Sequence, residues 1–510
     1  MARVMRPDDA AAPPRWLPVW LAALPVVYVI SPLALLALPA LRRLPRVVWW
    51  VLGVYTLSQQ LPALFAPEPL LASVLALART GLMFGLIAVG VLLADTGRLR
   101  AMVPGLLAVY LTAFAFTVLG HADLLVQRLG HPYMTPITLG LAGTLGVWLA
   151  LFAPGRLGWR LPLGVLALGV LLLSGSRGSL AAALVGCAAG FVIRRGRRLA
   201  VGVLAGVALL GVAFLLGQRL ELGAITRLGS ADTTGRDIVW ENTLSVIRSE
   251  PWSGVGSYRL GGRLAAPGDA CELWAAADGQ APVCPAWVRG LGSPWLIAHN
   301  VTLQQLAETG PVGLLGLFAL LGAVAGAALA QRDPLGMAVI SGLLVATVND
   351  NTLLVPSPFF AEVFWIAAGS QLLSLRRPSA GTGALTAALM LALSAPLLAS
   401  ALPTPPGPPP QIALLNAPTT VRSPHDYITF VRFDLPPGRY RASLHSCLES
   451  CARIASLPFT VDAGGAPVIT LSGSLRPVRR QVLELRLHPG TSSLRPQPLG
   501  TRRWTVEVRP

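Results

Sequence analysis

Leu161-Pro-Leu-Gly-Val-Leu-Ala-Leu-Gly-Val-Leu-Leu-Leu-Ser-Gly-Ser-Arg177-Gly-Ser-Leu180 places one arginine in a turn of small polar residues between two apolar runs. The runs cover 161–175 and 179–193. A charge so close to a hydrocarbon core is costly and usually faces a polar cavity. The turn therefore predicts a binding site, with snorkelling of Arg177 to lipid headgroups as the alternative.

Apolar residues also dominate the chain as a whole. Of its 510 residues, 54% are hydrophobic and 12% charged, and the mean hydropathy is +0.63. These values exclude an ordinary soluble domain with a charged surface. The net charge of +17 comes from arginine alone, because the sequence contains no lysine. Much of this arginine stands in short runs between apolar stretches, which indicates membrane orientation rather than binding to nucleic acid.

The apolar stretches predict an all-α polytopic membrane protein with about twelve transmembrane helices, since all but the two shorter runs beside Arg177 are long enough to cross about 30 Å of hydrocarbon. Residues 16–41 are expected to form a hairpin, broken at Pro25 or at Ser31-Pro32. The longer stretches are 47–65, 70–94, 102–119, 134–153, 199–217, 301–329, 335–354, 357–375 and 382–401.

Alternate turns between these stretches carry arginine, and the positive-inside rule assigns such turns to the cytoplasm. The remaining turns then face outward. They include the loop from His121 to His131, the Arg177 turn, a long loop over 218–300 and everything after 402. We therefore expect a membrane domain over 1–402, whose outer loops carry the candidate site.

The C-terminal part has a different composition. A proline-rich linker at 403–410 predicts a stiff spacer. Residues 411–510 alternate apolar and polar between Pro/Gly turns, which predicts an extracytoplasmic β-sandwich domain. The alternating runs begin at Tyr427, Tyr440, Val468, Val482 and Trp504. The histidines of this tail, His425, His445 and His488, are scattered along the sequence and indicate no metal site.

The long loop contains a second arginine motif. Trp240, Leu244 and Ile247 form one apolar stripe, which predicts an amphipathic helix along the membrane surface. Thr234 and Asp237 fit a capping box, so Arg236 falls in the first turn, where free amides and the helix dipole favour an anion. Arginine and amides together suit a diphosphate. A solvated arginine on an ordinary interfacial helix is the alternative.

A third motif begins a span. His299 precedes the helix, and Asn300, Gln304 and Glu308 follow on one stripe, which predicts a polar face turned to a cavity or another helix. A histidine at a water-accessible opening can accept a proton from a hydroxyl near neutral pH. Glu308 lies about half a turn from His299 on an ideal helix of ~3.6 residues per turn, so helix packing is its favoured role.

Other residues are candidates of lower rank. Arg259 and Arg263 are predicted as additional phosphate contacts, and Asp350 as an alternative base. Two cysteine pairs suit disulfides in an oxidising compartment, and neither pair has neighbouring histidines that would indicate zinc. They are Cys271 with Cys284, and Cys447 with Cys451.

Taken in order, these motifs resemble the O-antigen ligase and polymerase family. Its shared region has an S-R-G turn between two spans, an R-x3-W helix leading to P-x-x-G-x-G, and H-N-x2-L-x4-E-x-G opening the next span. The resemblance covers roughly 160–330. The matching residues are Ser176-Arg177-Gly178, Arg236 to Trp240 with Pro251 to Gly256, and His299-Asn300 with Leu303, Glu308 and Gly310.

The resemblance implies an inverting, metal-independent glycosyltransferase of the membrane-embedded C type, without a cofactor. It would transfer a glycan from undecaprenyl diphosphate to an acceptor hydroxyl on the outer face of the cytoplasmic membrane. Arg177 and Arg236 would bind the diphosphate, and His299 would orient or deprotonate the acceptor. The acceptor would be a glycolipid such as lipid A-core, another glycan or a protein.

Several alternatives remain open from the sequence. Within the same enzyme class, the protein would be a repeat-unit polymerase or a protein O-oligosaccharyltransferase. A transporter of lipid-linked sugars would also need outer arginines, although it usually has repeated halves, and no internal repeat is visible here. A scaffold that recruits cell-wall enzymes through its β domain is a further alternative.

Overall fold

The computed structural model describes most of the chain outside the long loop and the linker. The described residues are 14–120, 128–194, 236–264, 297–375 without 356 and 358, isolated positions between 381 and 395, and 411–508 with gaps at 422–426, 436–437, 449–450, 462–466, 476–477 and 490–497. The predicted span at 199–217 and the linker at 403–410 lie outside them. Two compact units are present, Met1–Gln60 with Ala76–Asp232 and Leu315–Met390, and Leu61–Leu75 with Thr233–Leu314 and Leu391–Pro510.

Apolar helices make up most of the described chain before residue 376. Among the described residues, four helices are long and apolar enough to cross a membrane, namely Pro69–Leu93, Thr96–Leu119, Arg177–Arg194 and Val301–Gln331. Shorter α-helices are Trp16–Ala23, Arg46–Ala63, Pro136–Phe152, Leu157–Leu173, Pro334–Ala346 and Phe360–Leu372. The predicted helical membrane part is thus present, and the count of about twelve spans stays a prediction.

The N-terminal stretch predicted as a hairpin is interrupted at Pro25. The α-helix Trp16–Ala23 is followed by a long 3-10 helix over Tyr28–Arg43. The two segments are joined by the indole of Trp20, whose Nε1 donates to the carbonyl of Ile30 at 3.1 Å. The break therefore falls at one of the two predicted prolines, while a return to the cytoplasmic side stays a prediction.

The span predicted over 335–354 ends early, at Ala346. Beyond it, Thr352 Oγ1 donates to the carbonyl of Leu343 at 2.9 Å. The Asn351 side chain accepts from Leu354 N at 3.0 Å and donates to Leu354 O at 3.2 Å. These local bonds replace helical ones and fold the chain into a loop, which hydropathy alone does not reveal.

Glycines let an aromatic side chain fill the centre of the first unit. Trp148 is fully buried and donates from Nε1 to the carbonyl of Ala183 at 3.3 Å. A Cβ added at Gly186 would lie 2.5 Å from its ring, and one at Gly342 would lie 2.2 Å from it. Small residues thus allow close helix packing around one large ring, as in other membrane helices.

The C-terminal region consists of two sheets. The strands are β1 Gln411–Asn416, β2 Thr420–Val421, β3 Tyr427–Asp434, β4 Gly438–Cys447, β5 Cys451–Val461, β6 Val468–Gly473, β7 Arg480–Pro489 and β8 Gly500–Val508. The three-stranded sheet has the order β1-β3-β6, and the five-stranded sheet has the order β2-β8-β7-β4-β5. One buried apolar cluster takes residues from both sheets, including Phe433 of β3, Leu471 of β6 and Leu485 of β7.

The strands that alternation did not predict lie largely at sheet edges. β5 contains Pro458 and is an edge strand, where a missing N–H is tolerated. Cys447 and Cys451 form a disulfide bond across the turn between β4 and β5. The predicted sheet domain is present, and its exact class and the domain limits 1–402 and 411–510 stay predictions.

Candidate functional site

The Arg177 turn is fixed by its serines. Gly175 has a φ of +60°, a conformation that favours glycine. Ser176 Oγ accepts from the N–H of Ser179 at 3.4 Å, so Ser176 is the N-cap of the helix Arg177–Arg194. Arg177 is consequently the first helical residue, and its side chain is exposed. The motif thus places a guanidinium group beside the free amides of a helix start.

Buried hydroxyl groups anchor this turn to the helix Pro136–Phe152. Ser174, Ser176 and Ser179 are all buried. Ser179 Oγ donates to the carbonyl of Ile137 at 3.2 Å, and Thr144 Oγ1 donates to the carbonyl of Ser179 at 2.9 Å. The serines of the motif therefore position the turn, which leaves the arginine side chain for other contacts.

Two neighbours of the turn were not among the predicted site residues. Arg128 Nε donates to the carbonyl of Ser174 at 2.6 Å. A Cβ added at Gly178 would lie 3.5 Å from Cβ of Asn349, so the polar stretch that contains Asp350 lies beside the Arg177 turn. The position of Arg128 in an outer loop was the available sequence signal, whereas the contact with Asn349 depends on long-range packing.

The loop helix, Arg236–Ser249, packs its apolar stripe against other parts of the protein. Leu244 and Ile247 are buried with Ala298, Leu303 and Ala307, and Trp240 packs partly buried against the same cluster. The amphipathic period was predicted correctly, and the apolar stripe meets an apolar face on the helix Val301–Gln331. The location of the loop helix along the membrane surface stays a prediction. The Arg236 side chain and Thr234 of the proposed capping box lie outside the described residues.

His299 stands at a sharply bent position between two fixed neighbours. Its φ is +49°, in the left-handed region. The N–H of Ala298 donates to Gln304 Oε1 at 2.7 Å, and Asn300 Oδ1 accepts from Leu303 N at 2.9 Å as a helix cap. The His299 side chain is half-buried. The polar residues around it thus hold the backbone that presents the imidazole.

The polar stripe that follows His299 is a connected row inside the protein. Asn300, Gln304 and Glu308 are all buried. Gln304 Nε2 donates to Glu308 Oε1 at 2.7 Å, so Glu308 supports Gln304, which in turn holds Ala298. Glu308 is thus linked through Gln304 to the backbone of Ala298, the residue before His299.

The P-x-x-G-x-G segment caps a break in the kinked helix, Val301–Gln331. Gly310 has a φ of +62° and is followed by Pro311, so the helix changes direction there. The N–H of Val255 donates to the carbonyl of Ala307 at 2.9 Å, and that of Gly256 donates to the carbonyl of Glu308 at 2.8 Å. Because Pro311 lacks an N–H, Ala307 could not find its usual partner within the helix.

Glycine is required where the two segments touch. Gly254 has a φ of +64°, and a Cβ there would lie 2.4 Å from the carbonyl carbon of Glu308. A Cβ at Gly310 would lie 2.0 Å from the carbonyl oxygen of Trp252. The motif therefore joins the loop helix to the His299 row by contacts between backbones.

Arg259 has a carboxylate partner. Its guanidinium donates to Glu68 Oε1 at 2.7 Å and to the carbonyl of Pro67. Arg263 lies in the short helix Leu260–Leu264 and is half-buried. Arg259 thus ties the long loop to the start of the helix Pro69–Leu93, and any phosphate would have to compete with Glu68.

The structure brings some predicted site residues together. The loop helix that begins at Arg236 and the His299 turn share one unit and one apolar cluster. Arg177 and Asp350 belong to the other unit. Cys271 and Cys284 lie outside the described residues.

These features define a helical membrane protein with polar motifs at the starts of its helices and a sheet domain at its C-terminus. Residues 162–318, less than a third of the chain, match the family model described as O-Antigen ligase. The match contains all three motifs and confirms the resemblance of this part of the chain to the O-antigen ligase and polymerase family. No curated protein matches the sequence.

Proposed function

We propose that the protein is an inverting glycosyltransferase that moves a glycan from undecaprenyl diphosphate to an acceptor hydroxyl. The reaction would take place on the outer face of the cytoplasmic membrane, within about twelve spans, and the C-terminal domain would be an extracytoplasmic β-sandwich. The family match over 162–318 supports the general activity. Donor, acceptor and location are parts of the proposal.

The observation that carries the proposal is the joint between the loop helix and the His299 turn. Residues from both segments share one buried cluster, and Val255 and Gly256 cap the helix that begins after His299. A helix that starts with arginine and a half-buried histidine are thus held in one unit. Such a fixed pair suits a reaction in which an anionic leaving group and an acceptor must be positioned together.

The proposed chemistry needs one base and two cationic groups. The acceptor oxygen attacks the anomeric carbon, and His299 takes the hydroxyl proton. The bond from that carbon to the diphosphate oxygen breaks on the opposite face, which inverts the configuration. Arg177 and Arg236 stabilise the negative charge that grows on the departing polyprenyl diphosphate. Because a diphosphate donor is already activated, the mechanism requires neither a metal ion nor a nucleotide.

Other residues have supporting roles in this proposal. Glu308 positions the His299 turn through Gln304, while Arg259 and Arg263 remain additional phosphate contacts. Asp350 is the alternative base. Cys271 with Cys284 would form a disulfide in the long loop.

The same site would serve a polymerase or a protein O-oligosaccharyltransferase, which differ from a ligase in the acceptor alone. If the protein were a transporter of lipid-linked sugars or a scaffold, the buried row of Asn300, Gln304 and Glu308 beside His299 would have no chemical role. We therefore favour the enzyme.

A transfer assay tests the proposal. The purified protein is supplied with a synthetic polyprenyl diphosphate glycan and candidate acceptors in the presence of chelator. We expect Arg177→Ala, Arg236→Ala and His299→Ala each to reduce transfer by about a hundredfold or more, as loss of a preorganised charge or base does. Arg177→Lys should also lose most activity, since an ammonium cannot replace a guanidinium fork.

Arg194→Ala is the matched control, because Arg194 ends the helix that Arg177 begins and its guanidinium donates to the carbonyl of Leu151 at 3.1 Å. It should retain transfer. Full activity in folded Arg177→Ala, Arg236→Ala and His299→Ala proteins would contradict the assigned site, and surface glycan unchanged by all three would favour the scaffold.

A further inference from the structure

The P-x-x-G-x-G segment that follows the loop helix carries an exposed tryptophan. Trp252 comes shortly after the end of the loop helix at Ser249 and is 79% exposed. The backbone beside it is fixed, because Gly254, Val255 and Gly256 are buried, and the last two donate hydrogen bonds to the kinked helix. A rigid backbone therefore holds a large aromatic ring outward.

The kinked helix shows where Trp252 lies relative to a membrane. A Cβ added at Gly310 would lie 2.0 Å from the carbonyl oxygen of Trp252, so the two residues are in contact. After this break, residues 312–330 are all apolar or glycine, and these 19 residues can cross the hydrocarbon alone, since a span needs ~17–25. Before the break the helix carries Gln304 and Glu308. The polar sequence thus gives way to apolar sequence beside the tryptophan.

The contacts with the helix Pro69–Leu93 agree with this position. A Cβ added at Gly256 would lie 3.1 Å from Cβ of Ala72, in the first turn of that helix. Further along the segment, Arg259 forms its ion pair with Glu68, which precedes the helix. The segment therefore runs from a charged pair before the helix, past the first helical turn, toward the tryptophan. The indole lies on the apolar side of the charged pair.

Exposed apolar side chains lie close to the tryptophan on both helices. Val312 is 42% exposed, and Leu70 and Leu71 are 81% and 44% exposed. Both helices are long and apolar enough to cross a membrane. Lipid therefore covers such side chains, because exposed apolar groups on a membrane-crossing helix face the bilayer. The indole of Trp252 continues this lipid-facing surface.

The chemistry of the segment suits the edge of a bilayer. An indole has an apolar body and one N–H donor, and tryptophan is enriched at the level of the lipid headgroups. Non-helical backbone close to the hydrocarbon needs hydrogen-bond partners within the protein. The N–H groups of Val255 and Gly256 have such partners in the carbonyls of Ala307 and Glu308. The segment can thus contact lipid without exposing these backbone groups.

We propose that Trp252 is an interfacial anchor, whose indole inserts among the lipid headgroups of the leaflet in which the kinked helix begins. The N–H of Gly254 donates to the carbonyl of Glu250 at 3.1 Å, so the anchor is tied to the end of the loop helix. It would hold that end of the loop helix at the membrane boundary. This role goes beyond the proposed reaction and does not depend on it.

A fluorescent label at position 252 tests the anchor. Trp252→Cys is labelled with bimane in the full-length protein after Cys187, Cys271 and Cys284 have been replaced by alanine, and the protein is placed in lipid nanodiscs. The quenchers are a lipid with a nitroxide near the start of its acyl chain and iodide in the water. We expect the nitroxide to quench this label about threefold or more better than a label on Arg502→Cys. Iodide should quench the label on Arg502→Cys better.

Two further positions calibrate the measurement. Leu70→Cys is the matched lipid-facing position, because Leu70 is exposed in the first turn of a span. Arg502→Cys is the water-facing position, because Arg502 is exposed on β8. The label at position 252 should behave like the one at Leu70→Cys. Strong quenching at 252 by iodide, with the nitroxide no more effective than at Arg502→Cys, would overturn the inference and leave the indole to a water-soluble partner.

A second measurement needs no label. In nanodiscs of brominated lipid, compared with unbrominated ones, the wild type should lose more tryptophan emission than Trp252→Phe, because bromine quenches an indole that touches it. Both proteins keep an aromatic ring at position 252, so the fold is the same in each. An equal loss of emission in the two proteins would also overturn the inference. Neither result bears on transfer activity, which the assay of Arg177→Ala, Arg236→Ala and His299→Ala tests separately.

Discussion

The conformation of His299 is unusual for a residue with a side chain. A φ of +49° costs free energy for most residues, although histidine tolerates it better than β-branched ones. The surrounding bonds fix it, since Gln304 holds Ala298 and Asn300 caps the helix that follows. Such conformations are found often at functional sites. The backbone therefore agrees with a special role for this imidazole.

His488 makes the C-terminal domain sensitive to acid. Its pKa is lowered to about 4, chiefly by burial, while an unfolded chain keeps a value of about 6.5. The contribution of His488 to the free energy of unfolding is therefore fully present above pH 6.5. It is lost as the pH drops toward 4, because the unfolded state takes up the proton first. At ~1.36 kcal/mol per pKa unit, the loss from this residue is at most about 3 kcal/mol.

Hydrogen exchange of the β7 amides in the full-length protein measures this effect. After correction for intrinsic rates, protection should decline between pH 6.5 and 4 in the wild type and less steeply in His488→Gln. Both proteins should show the same flat profile between pH 7 and 8. An equally steep decline in both would show that His488 does not carry the acid sensitivity.

Chemistry at the residue scale was only partly predictable. The motifs around Arg177, Arg236 and His299 could be found because they are short and local. The tail histidines are scattered in the sequence, and their common location was not predicted, because strand pairing, which sets His445 and His488 on one face, joins residues that are far apart in sequence. Arg128 was missed for the same reason, since its partner Ser174 is remote along the chain.

At the scale of elements, the joint at Gly310 is the most constrained feature. Gly310→Ala should destabilise the protein by about 1–3 kcal/mol or more, because the left-handed φ and the contact with Trp252 O both oppose a side chain. Thermal unfolding in detergent measures the change. Gly262→Ala is the control, since an added Cβ there meets nothing within 4 Å. An unchanged melting temperature for Gly310→Ala would contradict the described joint.

Helices and strands followed sequence patterns wherever local signals agreed. Apolar runs predicted the helices Pro69–Leu93 and Pro136–Phe152 to within a few residues. The span that ends at Ala346 was predicted too long, because hydropathy does not detect the side-chain bonds of Asn351. The loop helix was predicted to lie along the membrane surface, because the sequence does not show which surface an apolar stripe packs against.

At the scale of the whole molecule, the proposal depends on which side of the membrane each segment faces. Arginine placement predicts the C-terminal domain outside and the turn at Arg332 inside. In spheroplasts, a membrane-impermeant maleimide should label Arg502→Cys directly and Arg332→Cys only after permeabilisation, with the wild type as background. Both arginines are exposed. Labelling of Arg332→Cys in intact spheroplasts would refute the predicted topology.

Whole-molecule assembly was the least predictable level. Charge arithmetic predicted Arg177, Arg236 and His299 on one side of the membrane, whereas the division that puts Arg177 in one unit and the other two in the second depends on contacts between distant parts of the chain. The disulfide of Cys447 and Cys451 suits an oxidising compartment and agrees with the outer placement of the domain.

The cap on the kinked helix also fixes an order of events during synthesis. The N–H groups of Val255 and Gly256 come earlier in the chain than the carbonyls of Ala307 and Glu308 that they satisfy. When the ribosome has completed the helix that needs the cap, the cap has already been made. The break at Gly310 can thus close as soon as it emerges, without waiting for the sheet domain.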